Sequence, residues 1–245
     1  MLSALSNIRI VLVETSHPGN IGASARAMKV MGLNRLYLVR PSCFPCAEAT
    51  ALASGADDLL VNAIVCKTLS EALQDAGFVV GTSARPRAIP WPMMTPRECS
   101  ARIIEATHGG EVALVFGRED SGLTNEEVEL CHTLVKIPTV PDFSSLNLAA
   151  AVQIMAYEVF QAAGDTNSSR RPLVESPPAT VEQMERLYAH LEAAMIDVGF
   201  LNPVHPRRLQ RRLRRLFNRA QLDQNEMNIL RGFLAAVQSS LKKTG

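Results

Sequence analysis

No apolar run in this 245-residue chain approaches the ~18 residues that a membrane helix needs, so a helical membrane span is excluded. The basic, apolar, small-residue order of an export signal is also missing. Residues 8–13 (Ile-Arg-Ile-Val-Leu-Val) already read as a strand, and a cytoplasmic location is expected. Cysteine is scarce and odd in number at five, which argues against a disulfide framework. Cys43 and Cys46 form one C-x-x-C, but a zinc site needs two more ligands at matching spacing. Cys66, Cys99 and Cys131 are too scattered to supply them, so no metal is expected. Phosphate-cradling signatures are lacking as well. His17-Pro18-Gly19-Asn20-Ile21-Gly22 does not have the G-x-G-x-x-G spacing and no G-x-x-x-x-G-K-[ST] occurs, which counts against NAD and ATP. Net charge is nearly absent at +1, from 25 basic and 24 acidic side chains, and taken alone it argues against a nucleic-acid partner.

The charge distribution argues the other way. Residues 1–169 carry 12 Lys and Arg against 17 Asp and Glu, whereas residues 170–245 carry 13 against 7. A basic end on an otherwise acidic chain points to an anionic polymer, although basic helical faces are often only solvated surface. Apolar residues make up 47% and charged residues 20%, a globular composition. At about 150 residues per domain, the length fits one medium domain and a smaller one.

Up to residue 163 the pattern alternates between β-branched runs and helical stretches, which predicts an α/β domain. Strands are expected at 8–13, 36–39, 64–65, 78–80, 112–116 and 134–137. Asn20 reads as an N-cap and Gly32 as a stop for the first helix between them. Thr124 with Glu127 forms a capping box, and residues 145–161 read as a long last helix. Residues 164–179 concentrate turn formers without periodicity and read as a linker. From 180 to 245 a small helical unit follows. It opens at Thr180 with Gln183, breaks at Pro203 and Pro206, and continues through an Arg-rich helix and a third helix capped by Asp223 and Glu226.

Three expected strands end in loops of unusual chemistry: Gly81-Thr82-Ser83-Ala84, Gly117-Arg118-Glu119 and Ile137-Pro138. Ligands collect beyond strand carboxyl ends in open α/β sheets, so a nucleotide-like cofactor fits there. Gly22 and Arg26 lie four apart on one helix face, and helical side chains lean toward the N-terminus, so Arg26 can lie over side-chain-free Gly22 and reach the helix mouth. Arg26 equally fits an arginine that covers its own helix or pairs with a carboxylate.

The segments from Asn20 to Arg26, from Leu114 to Leu123 (Leu-Val-Phe-Gly-Arg-Glu-Asp-Ser-Gly-Leu), and Ile137-Pro138 followed by Ser144-Ser145-Leu146-Asn147-Leu148 resemble, in order, the three motifs of the SPOUT-class RNA 2′-O-methyltransferases. The likeness is close over about residues 7–160 and looser over the helical tail. Gly81-Thr82-Ser83-Ala84-Arg85 and Pro90-Trp91-Pro92 extend it toward the members that methylate the ribose of nucleotide 32 in the tRNA anticodon loop. The resemblance implies an α/β domain with a deep trefoil knot, S-adenosylmethionine bent in the knot loops, and a homodimer whose sites lie at the interface. Carried over by position, cofactor contacts fall on Thr82, Ser83, Ala84, Gly117, Glu119, Ile137, Ser144, Ser145, Leu146 and Asn147, and the catalytic set on Arg26, Ser145 and Asn20. Ser144, Ser145 and Asn147 also read as ordinary N-capping residues. Methylation of another RNA, such as ribosomal RNA, and a non-catalytic RNA-binding protein are the rival readings.

Guanidinium is effectively always protonated, so Arg26 reads as a cation that holds a phosphate and stabilises a developing alkoxide. His17 is either a base beside the first strand or a surface histidine. Arg85 and Arg87 offer phosphate contacts, and Trp91 either stacks on a base or packs a rigid turn. In the tail, Arg207, Arg208, Arg211, Arg212, Arg214, Arg215 and Arg219 have no acid near them in sequence until Asp223. Phosphate contact is expected from Arg207, Arg208, Arg211, Arg212 and Arg215, with tRNA as the partner and no DNA or membrane.

Overall fold

The computed structural model describes residues 2–83, 91–140, 145–164, 176–204 and 208–244. Seven strands form one parallel sheet in the order β3-β2-β1-β6-β4-β7-β5: β1 (Ile8–Val13), β2 (Arg35–Val39), β3 (Ile64–Cys66), β4 (Ala76–Thr82), β5 (Met93–Met94), β6 (Glu111–Phe116) and β7 (Thr133–Val135). Helices cover both faces, as a parallel sheet requires, so the central strands read as unbroken apolar runs. Along β1 the alternation is complete: Ile8, Ile10 and Leu12 enter one core, Val11 and Val13 the other.

The first core is closed by α1 (Leu2–Leu5), α2 (Pro18–Val30), α3 (Ala47–Ala53), α4 (Asp57–Val61), α6 (Pro96–Ala106) and α8 (Leu148–Gly164). The second is closed by α5 (Leu69–Leu73), α7 (Asn125–Val128) and the start of α9 (Val181–Asp197). With α10 (Leu209–Ala220) and α11 (Gln224–Thr244), α9 builds a third, smaller core around Met184, Leu187, Tyr188, Met227 and Leu234. No helix among the described residues is long and apolar enough to cross a membrane.

Several helix starts follow local rules. The capping boxes at Thr124 with Glu127 and Thr180 with Gln183 form as expected, and Thr95 with Glu98 adds a third. Helix α2 ends at Val30, and Gly32 supplies the left-handed turn (φ 73°). Two expected boundaries are corrected. Helix α2 starts at Pro18 with His17 as N-cap, because Pro is suited to the first helical position, so Asn20 lies inside the first turn. Helix α8 starts at Leu148, because the Asn147 Oδ1 accepts the Ala150 N–H (3.3 Å) and makes Asn147 the capping residue. Strand β7 ends at Val135 and β4 runs longer than 78–80 in both directions.

The chain between β7 and α8, on which the implied knot depends, includes residues 141–144, outside the described residues.

Candidate active site

The carboxyl ends of β4, β6 and β7 and the start of α8 surround a cleft of about 220 Å³. Phe116, Leu123, Val135, Leu148 and Ala151 give it apolar walls, while Thr82, Ser83, Ser145, Glu119 and Asp120 bring polar groups to its edge. Of the residues carried over for cofactor binding, Thr82, Ser83, Gly117, Glu119, Ile137, Ser145 and Leu146 line this one space. Asn147 stands next to them as the α8 cap. Ala84, Arg85, Arg87, Ser144 and Arg207 lie outside the described residues.

The loop after β6 holds itself in shape. Arg118 and Gly122 exchange backbone hydrogen bonds (3.3 and 3.0 Å), closing a tight turn with Gly122 at φ 68°. A Cβ on Gly117 would lie 2.2 Å from the Gly122 carbonyl carbon, so glycine is required here by the loop's own backbone. The constraint on Gly117 is internal to the turn, whose other face borders the cleft. The Arg118 side chain braces the same loop. It donates to Glu14 (2.6 Å) and in bidentate fashion to Glu127 (2.9 and 2.9 Å), and those carboxylates push its pKa up.

Glu119 reaches across to the start of α2. Its carboxylate accepts from the Ser16 amide and hydroxyl (3.0 Å each), the His17 amide (3.3 Å) and Asn20 Nδ2 (3.0 Å). Burial acts to raise this carboxyl, but the hydrogen bonds from Asn20 and the two amides outweigh it and hold the group below the usual range. A charged carboxylate at a helix N-terminus is favourable. Asn20 Oδ1 in turn accepts from Asn147 Nδ2 (2.9 Å). One chain of hydrogen bonds, Glu119 to Asn20 to Asn147, thus ties all three motifs together at the cleft mouth. Sequence reasoning placed these residues at the site but missed that they bond to one another.

Gly22 and Arg26 correct the mechanical reading of α2. A Cβ on Gly22 would meet the Ala49 carbonyl oxygen at 2.0 Å, so the bare face of Gly22 is filled by α3 and not by Arg26. Arg26 is exposed, makes no hydrogen bond or ion pair among the described residues, and does not line the cleft of its own chain. His17 is exposed at the α2 N-cap. Trp91 is 7% exposed and its Nε1 donates to the Cys131 carbonyl (2.8 Å), which settles it as a packed turn residue rather than a stacking surface.

The arginine helix is also corrected in part. Acids distant in sequence approach α10 in space: Arg211 pairs with Glu126 (3.0 Å) and Glu129 (2.6 Å), and Arg214 pairs with Glu185 while lying 4.4 Å from the Tyr188 ring centre. Arg208, Arg212, Arg215 and Arg219 make no ion pair among the described residues.

Comparison with known proteins finds two family matches along the chain. Residues 7–157 match the SpoU rRNA Methylase family, and residues 182–245 match the C-terminal domain of the tRNA methyltransferase TrmJ. A tRNA (cytidine/uridine-2′-O-)-methyltransferase TrmJ from Pectobacterium atrosepticum is 52% identical over 96% of this chain and 98% of its own length. The protein of the same description from Klebsiella pneumoniae is 51% identical over 97% of this chain and 99% of its own. The crystal structure of TrmJ from Z. mobilis ZM4 superposes with a TM-score of 0.82 at 36% identity, covering 94% of this chain and 98% of that one. The matched family spans more than half the sequence and carries the cleft, and the relatives share both parts of the chain, so the protein belongs to the SpoU methylase family, in its TrmJ branch.

Proposed function

We propose that the protein transfers a methyl group from S-adenosylmethionine to the ribose 2′-hydroxyl of tRNA, at nucleotide 32 of the anticodon loop, and that it works in the cytoplasm as a knotted homodimer. The observation that carries this reading is the joining, in one chain, of the motif-lined cleft to a helix with unpaired arginines, in the same order as in the relatives named tRNA methyltransferases.

The cleft residues suit the donor. Apolar walls at Phe116, Leu123, Val135 and Leu148 accept an adenine ring, while hydroxyls and backbone groups at Ser83 and Ser145 can meet a ribose or an amino-acid tail. The nearby Glu119 and Asp120 carboxylates favour a cationic molecule. When bound, S-adenosylmethionine supplies a methyl group on a positively charged sulfur, open to in-line attack. The task left to the protein is mostly alignment. Asn20, Asn147 and Glu119 hold the cleft mouth rigid, so the 2′-oxygen meets a fixed geometry. Arg26 holds a phosphate of the RNA and stabilises the negative charge developing on that oxygen. The hydroxyl proton passes to that phosphate or to water as the methyl group leaves the sulfur, because an always-protonated guanidinium cannot take it.

Arg26 stands outside its own cleft, which supports a dimer in which it completes the cleft of a second copy. Exposed apolar side chains beside the cleft and on α8, namely Val140, Leu146 and Tyr157, give such an interface apolar contact. The exposed Arg208 at the α10 N-cap and Arg212 on α10, with the half-buried Arg215 beside them, fit phosphate contacts along the tRNA.

The test is methyl transfer from labelled S-adenosylmethionine to unmodified tRNA, with the product mapped by mass spectrometry. The expected result is one ribose methyl at nucleotide 32. Transfer to ribosomal RNA with none to tRNA would overturn the substrate, and no transfer to any RNA would overturn the activity.

A further inference from the structure

The carbonyl oxygen of Cys131 is a meeting point of three parts of the chain. Trp91 Nε1 donates to it at 2.8 Å, and Asn218 Nδ2 donates to it at 3.1 Å from α10. The other Asn218 amide hydrogen bond goes to the Glu129 carbonyl (2.9 Å), and Asn218 Oδ1 accepts from the Tyr188 hydroxyl (2.7 Å). Trp91, Cys131 and Asn218 are all buried. Cys131 also packs on the end of β4: a Cβ on Gly81 would come within 2.8 Å of its sulfur. Thr82 and Ser83, which follow Gly81, line the cleft. Just after Trp91, the Pro92 carbonyl accepts from the Leu134 amide (2.8 Å) and the Thr133 hydroxyl (2.9 Å), so the chain is fixed there to β7.

Asn218 is thus the buried contact through which α10 reaches the frame of the cleft. It lies on the helix that carries Arg212 and Arg215, six and three residues beyond them. Its amide uses both donor hydrogens and its oxygen, so it fits this junction in one orientation only. Losing it takes the Asn218 partner from the Glu129 carbonyl and the buried Tyr188 hydroxyl and leaves the Cys131 carbonyl to Trp91 alone. The neighbouring Arg211 ion pairs are partly exposed, and pairs of that kind hold position weakly.

We infer that Asn218 is a positioning residue for methyl transfer: it sets the arginine face of α10 against the Gly81–Cys131–Trp91 junction, so that RNA held by α10 meets the cleft in one register. The inference rests on the proposed function only for its kinetic readout. Misplacement of about 1 Å costs roughly a hundredfold in rate even when binding survives. A residue of this kind therefore shows itself in kcat, whereas an RNA contact shows itself in tRNA affinity.

Trp91 is the only tryptophan in the chain, so its fluorescence reports the junction without RNA or cofactor. In the full-length protein, Asn218→Ala is expected to red-shift Trp91 emission and raise its quenching by acrylamide. It should lower kcat roughly ten- to a hundredfold and leave tRNA and S-adenosylmethionine affinities within about threefold of wild type. An Arg208→Ala, Arg212→Ala double variant removes two exposed cations without touching the junction, so it should weaken tRNA binding with Trp91 emission kept. Unchanged emission, or unchanged kcat with weakened tRNA binding, would overturn the inference. If Asn218→Ala does not fold, Tyr188→Phe removes only the hydroxyl that fixes Asn218 Oδ1, and wild-type kcat with wild-type Trp91 emission in that variant would overturn the inference as well. Should the wild-type chain methylate no RNA, the functional reading fails by itself. The Trp91 fluorescence of Asn218→Ala then still decides whether Asn218 holds the junction.

Discussion

A methyl group added at Gly117 would lie 2.2 Å from the Gly122 carbonyl carbon and 2.4 Å from the Leu123 nitrogen, both backbone atoms of a closed turn. Relief requires the turn itself to move, and overpacking of this kind costs about 1–3 kcal/mol. Gly117→Ala is therefore expected to lower the melting temperature by roughly 4–8 °C and to weaken S-adenosylmethionine binding at the same time. Scanning calorimetry and titration calorimetry on one sample check both. Lost affinity at an unchanged melting temperature would instead make Gly117 a direct cofactor contact. Arg26 is the opposite kind of residue, exposed and free of partners among the described residues, so its removal leaves nothing unsatisfied. For Arg26→Ala the melting temperature and cofactor affinity should stay at wild-type values. The methyl-transfer rate should fall by about 10² to 10³, the scale of a missing charge-stabilising group. Near-normal turnover would remove Arg26 from the reaction.

At the scale of elements, the seam between β4 and β7 carries a titratable side chain. His132 is buried, accepts from the Val79 amide through Nδ1 (3.0 Å), and donates its own amide to the Val79 carbonyl (2.9 Å). Burial, with a smaller contribution from the Arg102 charge, pushes its pKa down to about 4 from an ordinary 6.5. The sign follows from the lowered value. Above pH 6.5 neither state is protonated and the seam is intact. Between 6.5 and about 4 the unfolded chain takes up a proton that the folded chain refuses, so stability falls by up to about 1.4 kcal/mol per pH unit. Urea unfolding at pH 7, 6 and 5 should show that loss, and a His132→Leu variant should show a shallower one. Equal slopes in the two proteins would mean that His132 is not the titrating group. His132 has no signature in the sequence, because its neighbours come from a strand more than fifty residues away. The same limit explains what was legible elsewhere. Strands β1 and β6 were readable because both faces are buried and every position is apolar or nearly so, and the capping boxes were readable because their partners are three residues apart. Strand β5 has two residues and gives no periodicity. The three site motifs could be placed, but the Glu119–Asn20–Asn147 bonding spans about a hundred residues and needs the fold.

At the scale of the whole molecule, the C-terminal unit closes over the sheet as well as extending from it. Pro178 bridges to Asp223 and sits against Gly77 and Gly109, Val181 enters the second core, and Asn218 and Arg211 reach the turn after α7. Deleting residues 170–245 would remove the arginines and uncover apolar surface in one step, so a weaker complex with tRNA would have two causes. Charge reversal in the full chain separates them. Arg208, Arg212 and Arg219 are exposed and make no ion pair among the described residues, so changing all three to Glu should leave the fold intact, with a melting temperature close to wild type. Every phosphate that the protein ceases to neutralise flattens the dependence of log affinity on log salt by about 0.7–0.9, so three such phosphates should reduce the slope by roughly 2. Arg211→Glu supplies the contrast, because its guanidinium is already held by Glu126 and Glu129. That change places a third carboxylate beside two others, and its effect should fall on the melting temperature more than on the salt slope. A triple variant that binds tRNA with the wild-type slope would mean that α10 does not contact the phosphates, and the basic end of the chain would then act only through its packing on the sheet.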